Sequence, residues 1–338
     1  MDFRRKVLKN NPILNVEFKV YENLNKLVAE TLCQNSENVH KVKCLPRNCE
    51  NCGVNNLNLM EEEKVDKEQL PDVQWERYEY VNLKRGLKSI RKLMLVKKTS
   101  KPCEMFSYFL QILRSFPYHQ FSASWQSEQL RSLLDNLHQN HCITIKDYSE
   151  SYRYFDKTEI QMGYFQKIEV SIHVTLLYRH GVLEVDSIES TVDNPVIIKE
   201  EFFVISEDDK RDQHFTHYVQ KKVSEYLLRI NYNPKVLHEF HDGCATQYKN
   251  RHCFGVLATT VSELGYESVI RNFFETAHTK GAQDAAGGFI KREADLSVIR
   301  TSIQNRKDLL DFCNENLQQL KSTGCKRRMF RYVVSSAE

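Results

Sequence analysis

The second half of the chain alternates between strand-like and helix-like spacing of its hydrophobic residues. Strand-like runs lie at residues 141–148, 168–178, 202–206, 236–240 and 268–274. Helical spacing occurs at residues 215–230, at residues 245–264 and from Asp284 onward. From residue 141, the pattern predicts the element order βββαβαβα and therefore a mixed α/β domain.

Three aspartates fall at the junctions of this pattern. Asp147 closes the first strand-like run, Asp242 follows the fourth, and Asp284 lies at or near the start of the last helix. A single aspartate in such a place is ordinarily a helix cap or part of a turn. Because strand, aspartate and helix follow one another twice, at Asp242 and Asp284, a shared carboxylate site is the alternative interpretation.

Four cysteines follow a helix that is predicted at residues 20–31. They have the spacing C-x10-C-x4-C-x2-C and are Cys33, Cys44, Cys49 and Cys52. Four thiolates so close in sequence could close a tetrahedral zinc site, with His40 as a substitute ligand; free thiols in a small subdomain are the alternative. Residues 1–60 are therefore predicted to be a Cys-rich segment.

Residues 61–140 are predicted to be a helical region with a basic stripe. Between residues 81 and 101, apolar residues recur at helical spacing, and eight lysines and arginines occur with no acid among them. A solvated helix face normally mixes both signs, so the one-sided charge favours contact with phosphate groups. Further helices are predicted at residues 105–116 and 127–138.

The C-terminal residues 304–338 are predicted to be a helical basic tail. Its helix covers residues 308–320, and its basic end consists of Lys326, Arg327, Arg328 and Arg331. We interpret this end as a second phosphate contact or as a disordered terminus.

Two further sets of polar residues are not assigned to the metal site. The acid-rich residues 184–212 are expected to be a turn-containing excursion with solvated carboxylates. Four histidines are expected to be structural or to lie on the surface rather than to bind a metal, namely His214, His217, His238 and His241.

The composition narrows the class of protein. The chain has 338 residues, of which 41% are hydrophobic, and it contains no apolar run long enough to span a membrane and no signal peptide. A soluble, intracellular protein is therefore expected, with its ten cysteines mainly reduced. The net charge of +3 is too small to indicate a nucleic-acid partner by itself.

Four segments of the chain carry a resemblance to a known family. IKDYSESY, HDGCATQYKNRHCF and FFETAHTKGAQDAAGGFIKR resemble motifs around the three acidic residues of the ribonuclease H-like, DDE/DDD-type transposase-derived proteins of animal genomes. FPYHQFSASWQSEQL resembles the Trp-Gln element that precedes the first strand in that family. The chain departs from the family pattern at Ser151, Thr279 and Ala285, and Thr279 replaces a glycine that could adopt positive φ.

This resemblance implies a fold and a function. Residues 141–303 would form a ribonuclease H-like domain in which Asp147, Asp242 and Asp284 bind two Mg²⁺ or Mn²⁺ ions for strand cleavage and joining of DNA. The substrate phosphates would contact Lys280, Lys249 and His278. DNA would be the partner, and the protein would be located in the nucleus. The resemblance is also compatible with a homo-oligomer. The alternative is a domesticated, inactive descendant that binds DNA or protein.

Overall fold

The computed structural model describes residues 4–5, 9, 20–33, 41–64, 70–85, 88–154, 169–206, 211–245, 247–275, 281–297, 303–317 and 326–331. The chain divides into two compact units, residues 1–124 and residues 125–338. Among the described residues, no helix is long and apolar enough to cross a membrane.

The first unit combines a small helical core with a long hairpin. Its elements are α1 (Leu24–Glu30), 3₁₀ turns at Val42–Cys44 and Val54–Asn56, α2 (Glu61–Lys64), β1 (Val73–Arg85) and β2 (Lys88–Ser100). Asn23 caps the start of helix α1, because its side chain accepts a hydrogen bond from the backbone N–H of Lys26. Buried apolar residues of α1 and the cysteine segment pack against Leu113.

The helical prediction for residues 81–101 is wrong. Strands β1 and β2 pair antiparallel along their whole length, from Val73 opposite Ser100 to Arg85 opposite Lys88. The apolar residues of β2 match helical spacing by themselves, but most of their partner strand β1 lies upstream of residue 81, where the stripe that suggested a helix begins. The predicted helical region 61–140 therefore contains a β-hairpin.

A single helix follows the hairpin, where two helices were predicted, at residues 105–116 and 127–138. Helix α3 (Pro102–Asp135) runs through both predicted helical segments and through the boundary between the units. Pro102 is tolerated because the first helical residue needs no intrahelical N–H bond. Pro117 lies inside the helix and is buried.

The second unit contains a sheet with helices on both faces. After α3 its elements are β3 (His141–Tyr148), β4 (Tyr152–Arg153), β5 (Glu169–His180), α4 (Leu183–Asp186), β6 (Ile197–Ser206), α5 (Gln213–Arg229), β7 (Val236–His241), α6 (Arg251–Glu263), β8 (Ser268–Phe273), α7 (Ala282–Ser297), α8 (Arg306–Asn316) and β9 (Lys326–Arg331). The expected mixed α/β class is confirmed.

The strand order along the sheet is β8-β7-β3-β5-β6-β9, and β4 pairs with β5. Strands β3, β5 and β6 are successively antiparallel. Strand β7 lies on the other side of β3 and runs parallel to it, and β8 runs parallel to β7. Strands β3 and β7, which correspond to the first and fourth strands of the predicted βββαβαβα order, are thus neighbours.

Each face of the sheet has its own core. On one face, Ile143, Ile145 and Phe240 pack against Ile290 of α7 and against α8. On the other face, Cys142, Leu177 and Leu237 pack against α5, with apolar residues of α6 alongside. This alternation along β3 places neighbouring side chains of the strand in different environments.

The predictions for residues 184–212 and for the tail need correction. Strand β6 begins at Ile197, inside the predicted excursion. The carboxylates of Asp186 and Glu200 are buried rather than solvated, and both pair with the guanidinium of Arg179. The tail does contain a helix, α8, but its basic end is strand β9, which pairs parallel to β6. The sheet unit therefore extends past residue 303 to at least residue 331.

Candidate active site and metal centre

Asp147 and Asp242 lie side by side at one edge of the sheet, namely the edge formed by the carboxyl ends of strands β3 and β7. The parallel pairing of β3 with β7 ends with Lys146 opposite His241. Asp147 is the next residue of β3, and Asp242 is the next residue after β7. Because paired strands run about 4.8 Å apart, the register brings the two aspartates to adjacent positions.

Asp284 approaches the same edge on helix α7, near the start of the helix. Gly287 lies one turn further along and touches the end of β3 so closely that a Cβ atom there would lie 2.6 Å from Oγ of Ser149. The missing side chain lets α7 pack against the segment that follows Asp147. Since residues three apart share a helix face, the close approach at Gly287 also brings Asp284 toward Asp147.

Asp147 is the carboxylate on which the other two act electrostatically. Burial raises the pKa of Asp147 to about 7, with further contributions from the negative charges of Asp242 and Asp284. The backbone N–H of Tyr148 and the charge of Arg211 oppose this rise in pKa. Burial also raises the pKa of Asp242, against a hydrogen bond from the backbone N–H of Cys244. A bound cation would relieve both the cost of burial and the repulsion that act on Asp147.

Backbone N–H groups supply the hydrogen bonds recorded for these carboxylates. Oδ1 of Asp147 accepts from the N–H of Tyr148 at 2.7 Å, and Oδ1 of Asp242 accepts from the N–H of Cys244 at 3.1 Å. Oδ2 of Asp284 accepts from the N–H of Gly281 at 3.0 Å. Asp284 thus also has the ordinary role of an aspartate at a helix start.

Of the three residues expected to contact phosphates, Lys249 lies within the described part of the chain. Lys249 is exposed, and its Nζ lies 5.1 Å from the ring centre of Phe273, the last residue of β8. Phe273 is opposite His241 in the β7–β8 register, so Lys249 lies near the edge that carries Asp242. His278, Lys280, Thr279 and the substitute zinc ligand His40 lie outside the described residues.

Gln126 holds the backbone beside this edge, a role that sequence reasoning did not assign. Its side-chain amide donates to the carbonyl oxygen of Phe273 at 3.0 Å and accepts from the N–H of Glu275 at 2.6 Å. Gln126 belongs to the Trp-Gln element in the sequence, which was the only available signal for it.

An ion cluster that sequence reasoning missed lies on the opposite face of the sheet. The buried carboxylate of Glu239 pairs with the ammonium of Lys146 and, at 2.8 Å, with the guanidinium of Arg271. Burial alone would raise the pKa of Glu239, but the two cations outweigh it and lower this pKa to about 2. Lys146 directly precedes Asp147, so the cluster lies beneath the aspartate edge.

Aromatic contacts extend this ion cluster. The ring of His241 stacks on Tyr248 with centroids 4.3 Å apart, and burial lowers the pKa of His241 to about 3. The hydroxyl of Tyr248 lies 3.1 Å from Nε2 of His173. A cavity of about 20 Å³ adjoins His241 and Gln220, whose side chains include buried nitrogen atoms with no protein partner in the described residues. This space suits one water molecule.

The four cysteines of the first unit form a compact group. The Sγ atoms of Cys33, Cys44, Cys49 and Cys52 all lie within 4.8 Å of one another. A tetrahedral zinc–thiolate centre with bonds of about 2.3 Å needs sulfur atoms about 3.8 Å apart, and Cys33 and Cys49 are separated by 3.7 Å. The cysteine group could therefore hold a metal such as zinc.

Arg47 fixes the loop between two of these cysteines. It has a φ of 63°, in the left-handed region. Its guanidinium donates to the carbonyl oxygens of Thr31, at 2.6 Å, and Leu113, at 2.8 Å. A hydrogen bond from the backbone of Asn51 contributes most to lowering the pKa of Cys49 to about 7, which favours the thiolate that a metal requires.

The three aspartates are less tightly grouped than the cysteines. Among the described residues, the cysteines are the one group of three or more His, Cys, Asp or Glu side chains that is close enough to hold a single ion. The four histidines expected to be structural likewise form no such group. His238 instead lies 3.1 Å from His141, measured between ring nitrogens.

Comparison with curated proteins finds no match for this chain. A family model described as "Domain of unknown function (DUF8701)" matches residues 126–333, which include every strand of the large sheet. Because this match covers more than half of the 338 residues, the chain belongs to the DUF8701 family.

Proposed function

We propose that residues 141–303 have a ribonuclease H-like fold and catalyse metal-dependent phosphoryl transfer on DNA. The observation that carries this proposal is the parallel register of β3 and β7, which places Asp147 beside Asp242 at the carboxyl ends of two strands. On this proposal the protein descends from a transposase and acts on DNA in the nucleus.

The strand order supports the fold assignment. Three antiparallel strands, β3, β5 and β6, precede two parallel strands, β7 and β8, that add to the free side of β3. The resemblance implies this neighbour relationship between the first and fourth strands. Strand β9 extends the sheet beyond β6 and is an addition to the expected order.

The donor set fits a hard divalent cation. Carboxylate oxygens are preferred by Mg²⁺ and Mn²⁺. Burial, and after it the charges of Asp242 and Asp284, raise the pKa of Asp147, and a bound cation would counteract both effects. Asp147 and Asp242 would hold the cations, and Asp284 would complete one coordination shell. When bound, the cations would activate a water or a 3′-hydroxyl and stabilise the leaving oxygen. Lys249, with Lys280 and His278, would hold the phosphate backbone.

A domesticated, inactive descendant is the second candidate. It is favoured by the helix-start hydrogen bond of Asp284, by the departures at Thr279 and Ala285, and by the looser grouping of the three carboxylates. Such a protein would keep the fold and bind DNA or protein. Homo-oligomerisation is compatible with either candidate.

Nicking of supercoiled plasmid DNA tests the catalytic proposal. We expect the full chain to nick DNA with Mg²⁺ or Mn²⁺ but not with EDTA, and Asp242→Asn to reduce the rate at least about 100-fold. Asp193→Asn, in an exposed turn, is the matched control and should nick like the wild type. If Mg²⁺ and Mn²⁺ neither raise Tm at pH 8 nor support nicking, the inactive descendant is the better account.

We also propose that the four cysteines bind one zinc ion that stabilises the first unit. The mutual approach of the four Sγ atoms, all within 4.8 Å of one another, supports this assignment. Closed sites with four cysteine ligands are structural in type, because no coordination position remains for a substrate.

A further inference from the structure

Within the described residues, one face of the β1–β2 hairpin remains exposed. In the described residues these two strands pair only with each other. An isolated two-stranded hairpin is marginally stable in water. Successive side chains of a strand point to opposite sides, so the hairpin has two faces. The two faces differ in their surroundings.

The first face rests on helix α3. The ring centroid of Trp75 lies 5.4 Å from that of Tyr108, and the guanidinium carbon of Arg77 lies 4.9 Å from the ring centre of Tyr108. Glu79, on the same face, pairs with Arg77 and with Lys98. This face is therefore occupied by contacts within the first unit.

The second face carries a block of large exposed side chains. Tyr78 lies opposite Leu95, and Tyr80 lies opposite Leu93. Tyr78 is 65% exposed, Tyr80 60%, Leu95 50% and Leu93 49%. The guanidinium carbon of Arg91 lies 4.4 Å from the ring centre of Tyr80. Adjacent exposed apolar residues of this kind are typical of a binding surface.

The charge of the hairpin selects the kind of partner. Residues 73–100 contain eight lysines and arginines and two glutamates, a net charge of +6. Both glutamates already face cations, Glu79 as above and Glu76 at 4.0 Å from Lys97. Two hairpins, each with this net charge, would repel one another, which disfavours a second copy of this chain as the occupant. A polyanion is favoured by the same charge.

We propose that the face formed by Tyr78, Tyr80, Arg91, Leu93 and Leu95 binds single-stranded nucleic acid by stacking on its bases. Two residues along a strand are about 6.8 Å apart, about twice the 3.4 Å between stacked bases, so one base fits between the two tyrosine positions. Exposed rings beside cations are the usual means of binding unpaired bases without reading their sequence. Duplex DNA hides its base faces and would meet only the cations.

This inference is independent of the chemistry proposed for the aspartates. A protein that has lost catalysis would still bind single strands through the hairpin, because none of the five residues of this face belongs to the proposed metal site. The two proposals therefore succeed or fail separately.

Fluorescence anisotropy with the full chain tests the inference. Labelled oligo-dT and oligo-rU of 20 nucleotides and a 20-base-pair duplex are the probes. We expect at least one single strand to bind more tightly than the duplex, and the Tyr78→Ala/Tyr80→Ala variant to lose at least about tenfold in affinity for it. The Tyr78→Phe/Tyr80→Phe variant should retain binding, because phenylalanine keeps the stacking ring.

Tyr118→Ala is the matched control, since Tyr118 is 55% exposed on α3 and lies off the hairpin. It should bind like the wild type, and circular dichroism should show that every variant is folded. The inference is overturned if the double alanine variant binds within about twofold of the wild type, or if the duplex binds as tightly as both single strands. It is also overturned if the wild type is a dimer by light scattering and the double alanine variant is a monomer, because the face would then join two copies.

Discussion

A Cβ atom at Gly287 would lie 2.6 Å from Oγ of Ser149 and 2.8 Å from its Cβ. Helix α7 can therefore reach the end of β3 only because residue 287 has no side chain. We expect Gly287→Ala to lower the free energy of unfolding by about 1–3 kcal/mol, since backbone or strand must shift to make room. Urea denaturation measures this change.

Gly288→Ala is the control for that measurement. No atom lies within 4 Å of a Cβ at Gly288, so alanine should stabilise the helix by up to about 1 kcal/mol. Equal effects of the two substitutions would show that the approach to Ser149 does not limit packing.

Asp147 should make the metal-free protein less stable as pH rises. Its pKa is about 7 in the folded protein against an ordinary 3.8, so the folded state binds more protons than the unfolded state between about pH 4 and pH 7. Stability is lost across that window, by at most about 4 kcal/mol. Asp147→Asn should therefore raise Tm at pH 8 and leave it nearly unchanged at pH 4.

The exposed Asp193→Asn variant should not alter Tm at either pH. If Tm of Asp147→Asn varied with pH in the same way as Tm of the wild type, the pKa of Asp147 would not be raised by burial or by the charge of Asp242.

Elemental analysis should find about one zinc per chain, and Cys49→Ser should abolish it. Loss of a structural zinc removes binding energy that the fold depends on, so we expect a destabilisation of several kcal/mol or more. Strong chelators should lower Tm of the wild type in the same way. Cys103→Ser, at a cysteine outside the group, should keep both zinc and Tm. If the wild-type protein contained no zinc and its Tm did not change with chelator, the four cysteines would be free thiols and the zinc proposal would be wrong.

Glu239→Gln should be among the most destabilising single changes in the sheet unit. It leaves Lys146 and Arg271 facing each other without the carboxylate that pairs them, which costs about 3–5 kcal/mol. The comparison is Glu267→Gln, which breaks an exposed pair with Lys235 and should cost about 0–1 kcal/mol. Chemical denaturation distinguishes the two, and a small effect at Glu239 would show that the cations find other partners.

Local patterns in the sequence determined where most elements of the sheet unit lie. The strands at Asp147 and before Asp242, and the helix that begins near Asp284, follow from hydrophobic spacing because each is set by which face of a single segment is buried. The spacing of the four cysteines likewise identified the residues that could share a metal. Residue identity and local spacing were sufficient for these features.

Only the tertiary structure decided which segments pair and which side chains meet. The apolar stripe at residues 81–101 became the end of β1 and strand β2 because the two strands pair, and the basic tail became β9 because it pairs with β6. The cluster of Lys146, Glu239 and Arg271 joins three different strands. Strand pairing and buried ion pairs depend on partners far apart in sequence, so no single segment carries the information that predicts them.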